Sequence, residues 1–119
     1  MITLTKTEVH ISVYELIDML NNYFEFCGSD KKIGTDETSM NKLWHYLYDN
    51  DLEEVCLAGF DFTNLGYPHS KEDIEADFDN QDEVIIVAAF DLFCRTSGNL
   101  PQYEQMLKNC DDVIIRIST

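Results

Sequence analysis

EDIEADFDNQDEVIIVAAFDLFC, residues 72–94, changes character at its middle. Seven of its first twelve residues are carboxylates, and the eleven that follow are almost wholly apolar. The fold turns on how residues 84–94 are read. As a helix that is apolar nearly all round, the segment must be buried at the centre of the protein. As a strand, it would sit in the middle of a larger sheet. Asn80 followed three residues later by Glu83 has the form of a helix start, which favours the helix.

Upstream, Ser70 and Asp73 start a further acidic helix on which Ile74 and Phe78 share one face, and NLGYPH before it is turn chemistry. DNDLEEVCLAGFDF is ambiguous: Leu52, Val55 and Cys56 suit a short helix, whereas Val55, Leu57 and Phe60 suit a strand. A short helix ending near Gly59 is the favoured reading. At the N-terminus, ITLTKTEVHI alternates and is rich in β-branched residues, as a strand should be. Ser12 and Glu15 form a capping box for a helix over about 13–26, where Val13, Leu16, Ile17 and Leu20 recur at helical spacing. CGSDKKIGTDETS is loop-like, and Thr38 or Ser39 can cap a second helix through Leu43, Trp44, Leu47 and Tyr48. After the Ser97–Asn99 break, Pro101 opens the helix QYEQMLKN, and VIIRIS ends the chain as a strand.

The expected architecture is α+β: a helix-rich single globular domain over 1–119, with a small sheet that includes the N- and C-terminal strands. A third strand from about 55–62 would complete that sheet.

Charge is the strongest compositional fact. There are 23 acids against 8 bases, a net charge of −15, and residues 49–91 carry 13 of those acids with one base, Lys71. A surface of this sign repels phosphate, so direct binding to nucleic acid or an anionic membrane is disfavoured and a basic protein is the expected partner. No apolar run approaches the length of a membrane span, and MITLTKTEVH lacks a basic-then-apolar signal pattern, so a cytoplasmic protein is expected, or one of the host cytoplasm if virus-encoded. The four cysteines read as reduced and mostly buried.

Motifs for chemistry are wanting. Asp77, Asp79, Gln81 and Glu83 resemble the start of a calcium loop, as do Asp49, Asp51 and Glu53, but each lacks the glycine at loop position six and the closing glutamate at twelve. His10, His45, His69 and the cysteines lack the close pairs that zinc requires. Cys94, beside Arg95, lies in the most apolar segment, where a thiol packs and stays inert. No nucleophile elbow, phosphate loop or dinucleotide fingerprint occurs. No catalytic residue, metal or cofactor is assigned.

What remains is a surface. On one continuous helix, Glu72, Glu75, Asp79 and Asp82 would fall along a stripe with neighbours about 6 Å apart, close to the spacing of phosphates on a nucleic-acid strand, with Asp73 and Asp77 on its flank. Glu72, Asp73, Asp82 and Glu83 also fall in first turns, where helix dipoles favour carboxylates for reasons of stability alone. Tyr46 and Tyr48 cannot both face inward with Trp44, so at least one is exposed, beside Asp49, Asp51, Glu53 and Glu54. In size and charge the chain resembles small acidic inhibitors as a class: viral DNA mimics, anti-CRISPR or anti-restriction proteins, and immunity proteins that neutralise nuclease toxins. That likeness is compositional and assigns no residues. The expected function is a non-enzymatic acidic inhibitor of a basic, nucleic-acid-binding protein. Its candidate contacts are Tyr46, Tyr48, Asp49, Asp51, Glu53, Glu54, Glu72, Asp73, Glu75, Asp77, Asp79, Asp82 and Glu83. The alternatives are an immunity protein for a nuclease toxin, and a small enzyme or ligand-binding module built on a carboxylate site.

Overall fold

The computed structural model describes residues 6–57, 70–80, 83–109 and 112–119. In chain order these form β1 (Lys6–Ser12), α1 (Val13–Phe26), α2 (Glu37–Asp49), β2 (Glu54–Cys56), α3 (Lys71–Asp79), α4 (Glu83–Thr96), α5 (Leu100–Asn109) and β3 (Asp112–Ser118). The α+β reading holds: five helices and a three-stranded mixed sheet among the described residues, with the first and last strands paired.

The sheet order is β1-β3-β2, with β1 parallel and β2 antiparallel to the central β3. Val9, Ile115 and Val55 align in one row across the three strands, and His10, Arg116 and Glu54 align in the next. Because side chains alternate along a strand, the first row faces the helices and the second faces away. Ile115 and Val55 are fully buried, whereas His10 and Glu54 are exposed. On the outer face Arg116 bridges both neighbours, at 3.0 Å to Glu8 of β1 and 3.0 Å to Glu54 of β2. Hydrogen bonding to that guanidinium holds the Glu8 carboxyl below its ordinary value.

Residues 54–56 therefore correct the short helix expected there. Val55 alone carries the apolar signal in a three-residue strand, and the register is supplied by β3, 60 residues away, rather than by local periodicity. The remainder of the ambiguous segment, with Gly59 and Phe60, lies outside the described residues.

α1 begins where its capping box places it: the Ser12 hydroxyl accepts from Glu15 N at 3.2 Å. It ends in a left-handed Gly28 (φ 78°), with Ser29 N donating to Phe24 O and Gly28 N to Glu25 O, a closure that satisfies the last carbonyls. α2 ends the same way, with Leu52 N donating to Leu47 O at 2.8 Å, but the left-handed position is held by Asp51 (φ 56°). Its start corrects the expected cap. Asp36, not Thr38 or Ser39, is the N-cap, because its carboxylate takes both the Ser39 amide (3.1 Å) and the Ser39 hydroxyl (2.7 Å).

One buried apolar cluster draws on all eight elements. At its centre α4 packs against α1, with Val13, Leu16, Ile17, Leu20 and Phe24 of α1 and Ile85, Val87, Ala89 and Phe90 of α4 excluded from water. The helical reading of 84–94 is the correct one. No helix among the described residues is long and apolar enough to cross a membrane.

Candidate functional site

The acidic face is built on α3, and α3 is held by few contacts. Ser70 caps it by accepting from Asp73 N at 3.2 Å, and Ile74 is its one fully buried residue. Phe78 is partly buried, packed edge-on against Phe24 (5.4 Å between ring centroids) and stacked on Tyr46 (5.7 Å). Tyr46 also donates its hydroxyl proton to Phe78 O at 2.7 Å. A second set of contacts ties α3 to the loop after α1. The buried Ser29 donates its hydroxyl proton to Glu75, and Lys31 pairs with Asp79 at 2.8 Å while its ammonium lies 4.7 Å from the Phe78 ring centroid.

These contacts sort the predicted carboxylates. Glu75 and Asp79 are engaged within the fold, and Asp77 is half-buried. Glu72 and Asp73 are exposed and make no ion pair among the described residues. The continuous stripe does not form as envisaged. α3 stops at Asp79, Asn80 closes it by donating its amide proton to Ala76 O, and a new helix opens at Glu83, which is exposed. Asp82 lies outside the described residues.

The second group sits where α2 passes into β2. Tyr48 is 61% exposed and tilts against Trp44 at 6.4 Å, so it is the tyrosine that faces solvent; Tyr46 is half-buried against α3. Asp49 and Asp51 are exposed, Glu54 is bound to Arg116, and Glu53 is half-buried. Tyr46 joins the two groups structurally, since it belongs to α2 and holds Phe78 of α3.

The sequence reading did not single out Asp91. On the buried α4 it is fully excluded from water, with Oδ2 accepting from Arg95 Nε at 2.9 Å and Oδ1 lacking a hydrogen-bond partner among the described residues. Burial raises its pKa, with the Arg95 hydrogen bond opposing the shift. The signal was present as one acid in an apolar helix with an arginine four residues on. Burial, with the Asp91 charge adding to it, pushes the nearby Cys94 thiol up to about 11, so it stays protonated at neutral pH, as the packed-and-inert reading expects. Of the cysteines described, Cys27 and Cys94 are buried; Cys56 is exposed because it lies on the outer face of β2. Cys27 and Cys94 are free thiols. Among the described residues no group of three or more His, Cys, Asp or Glu side chains is arranged to hold a metal ion.

Comparison with protein-family models, with curated proteins and with solved structures finds no match to this chain.

Proposed function

We propose that this chain is a non-enzymatic acidic inhibitor that occupies the cationic nucleic-acid site of a basic effector, such as a defence nuclease of the kind targeted by anti-CRISPR or anti-restriction proteins. The carrying observation is α3, a short helix fixed through Ile74, Phe78 and the 29–31 loop, whose exposed N-terminal half holds Glu72 and Asp73 without ion pairs among the described residues. A rigid display of uncompensated carboxylates on a chain of net charge −15 attracts a cationic groove at long range and repels nucleic acid. Tyr48, exposed at the end of α2 beside Asp49 and Asp51, supplies an aromatic contact of the type that anchors protein interfaces.

The test is affinity capture from the native host at low and high salt, followed by challenge with duplex DNA and with RNA. The expected result is a basic, nucleic-acid-binding protein, retained at low salt and displaced by nucleic acid. Capture of a protein indifferent to both salt and nucleic acid would contradict the proposal.

A further inference from the structure

The positive charge of this acidic molecule is also placed unevenly. A cavity of about 280 Å³ opens between the 32–34 segment, α2 and the end of α3; Ile33, Leu43, Tyr46 and Phe78 give it apolar walls, and Lys32 and Lys42 stand at its edge. The acidic-surface reading has no use for it, since neither lysine belongs to a carboxylate display.

The cavity is preformed. Asn21 pins Ile33 through both backbone groups, accepting from Ile33 N at 2.8 Å and donating to Ile33 O at 3.0 Å. Gly34 comes so close to the α2 cap that a Cβ there would meet Asp36 Oδ1 at 2.6 Å, so glycine is what lets the segment close down on the helix start. Tyr46 and Phe78 hold each other by their stack, with planes 17° apart, and by the hydroxyl-to-carbonyl bond. No side chain needs to move to open the space, which lowers the ordering cost of filling it.

Its lysines are the second observation. Lys31, next in the chain, is paired with Asp79, yet Lys32 and Lys42 have no carboxylate within ion-pair distance among the described residues, in a chain with 23 acids. Carboxylates farther off than about 8 Å are largely screened from them at physiological salt, and Asp36, beside the lining residues Gly34 and Ser39, is engaged in capping α2 through the Ser39 amide and hydroxyl. We propose that this cavity is a binding site for a small amphipathic anion, one with a slim apolar body and a single carboxylate or sulfonate head. The body lies against Ile33, Leu43 and the Tyr46–Phe78 pair, and the head lies between the Lys32 and Lys42 ammonium groups. Cations and dianions with two separated heads fit less well, since the apolar walls would bury a charge unpaired.

Amide NMR titration with 2-naphthoate and with uncharged 2-naphthalenemethanol tests this on the intact chain. The expected result is saturable shifts at Ile33, Leu43, Tyr46 and Phe78 with naphthoate, and weaker binding of the alcohol at the same place. In Lys32→Glu/Lys42→Glu naphthoate affinity should fall about tenfold while that of the alcohol is unchanged. Lys32→Gln/Lys42→Gln should fall between the two and serves where charge reversal disturbs the fold. Equal affinity for acid and alcohol, no saturable shift at these residues, or naphthoate binding that ignores both lysine variants would overturn the proposal.

Discussion

α3 and α4 are neighbours in sequence and opposites in how they are held. α4 has nine buried residues and runs through the centre of the core, whereas α3 has one, Ile74, with Phe78 half-covered. α4 tolerates a buried carboxylate because Arg95 is one turn away; α3 carries five carboxylates because only Ile74 is fully buried and none of the five is cut off from water. Apolar burial thus fixes α4 as part of the fold, and specific clamps fix α3 as a display: the Ser70 cap, Ser29 to Glu75, Lys31 to Asp79 and Tyr46 to Phe78. A helix of nine residues would not persist alone in water, least of all with like charges on neighbouring turns.

The largest expected effects come from removing one isoleucine on each side of that contrast. Ile85→Ala opens a cavity in the α1–α4 interface and should cost about 2–5 kcal/mol of global stability, read by urea unfolding. Ile74→Ala removes the same atoms from α3, and hydrogen exchange should then show loss of protection over 71–79 while the α4 amides stay protected. Equal loss of protection in both helices would erase the distinction between core and display.

Next in size is the Asp91–Arg95 pair. Arg95→Ala leaves a buried carboxylate without its donor and should cost about 1–3 kcal/mol at neutral pH, with recovery as the pH falls and Asp91 takes up a proton. The sign for Asp91 itself runs from its raised folded pKa. The folded state binds that proton more tightly than the unfolded chain, so its contribution favours folding at low pH and is lost as pH rises from the unfolded carboxyl value, about 3.9, through the folded one. Asp91→Asn removes this loss. The stability difference between Asp91→Asn and wild type, from urea unfolding across pH, should grow in favour of the variant over that window and then level off. A difference independent of pH would mean that burial does not set the protonation of Asp91.

The same contrast governs what could be read in advance. α1, α3, α4 and β3 announce themselves through caps and long apolar patterns, so Ser12, Ser70 and the 84–94 run give their places from local chemistry. β2 does not, because three residues around Val55 carry no period and depend on β3. The α2 start is ambiguous in sequence because three side chains within four positions, Asp36, Thr38 and Ser39, can each cap a helix, and only the loop geometry selects Asp36. Which carboxylates are free was equally illegible. Glu75 and Asp79 look like Glu72 and Asp73 in sequence, and what separates them is contact with Ser29 and Lys31, more than 40 positions away. Lys32 and Lys42 stand ten positions apart in sequence, and their cavity needs Ile33, Leu43, Tyr46 and Phe78 brought together by the fold.

The smallest expected change in stability belongs to the residues with the largest expected role. Glu72→Lys/Asp73→Lys alters two exposed side chains in the first turn of α3; the lost interaction with the helix dipole is partly offset by relief of like-charge repulsion, and the net cost to unfolding should be about 1 kcal/mol or less. Capture of the basic partner at low salt by this variant, beside wild type, measures the central claim most directly. A loss of affinity of at least about tenfold in the folded variant is the predicted result, since charge reversal turns attraction into repulsion at the groove. Undiminished capture by a folded Glu72→Lys/Asp73→Lys chain would contradict the assignment of α3 as the inhibitory surface.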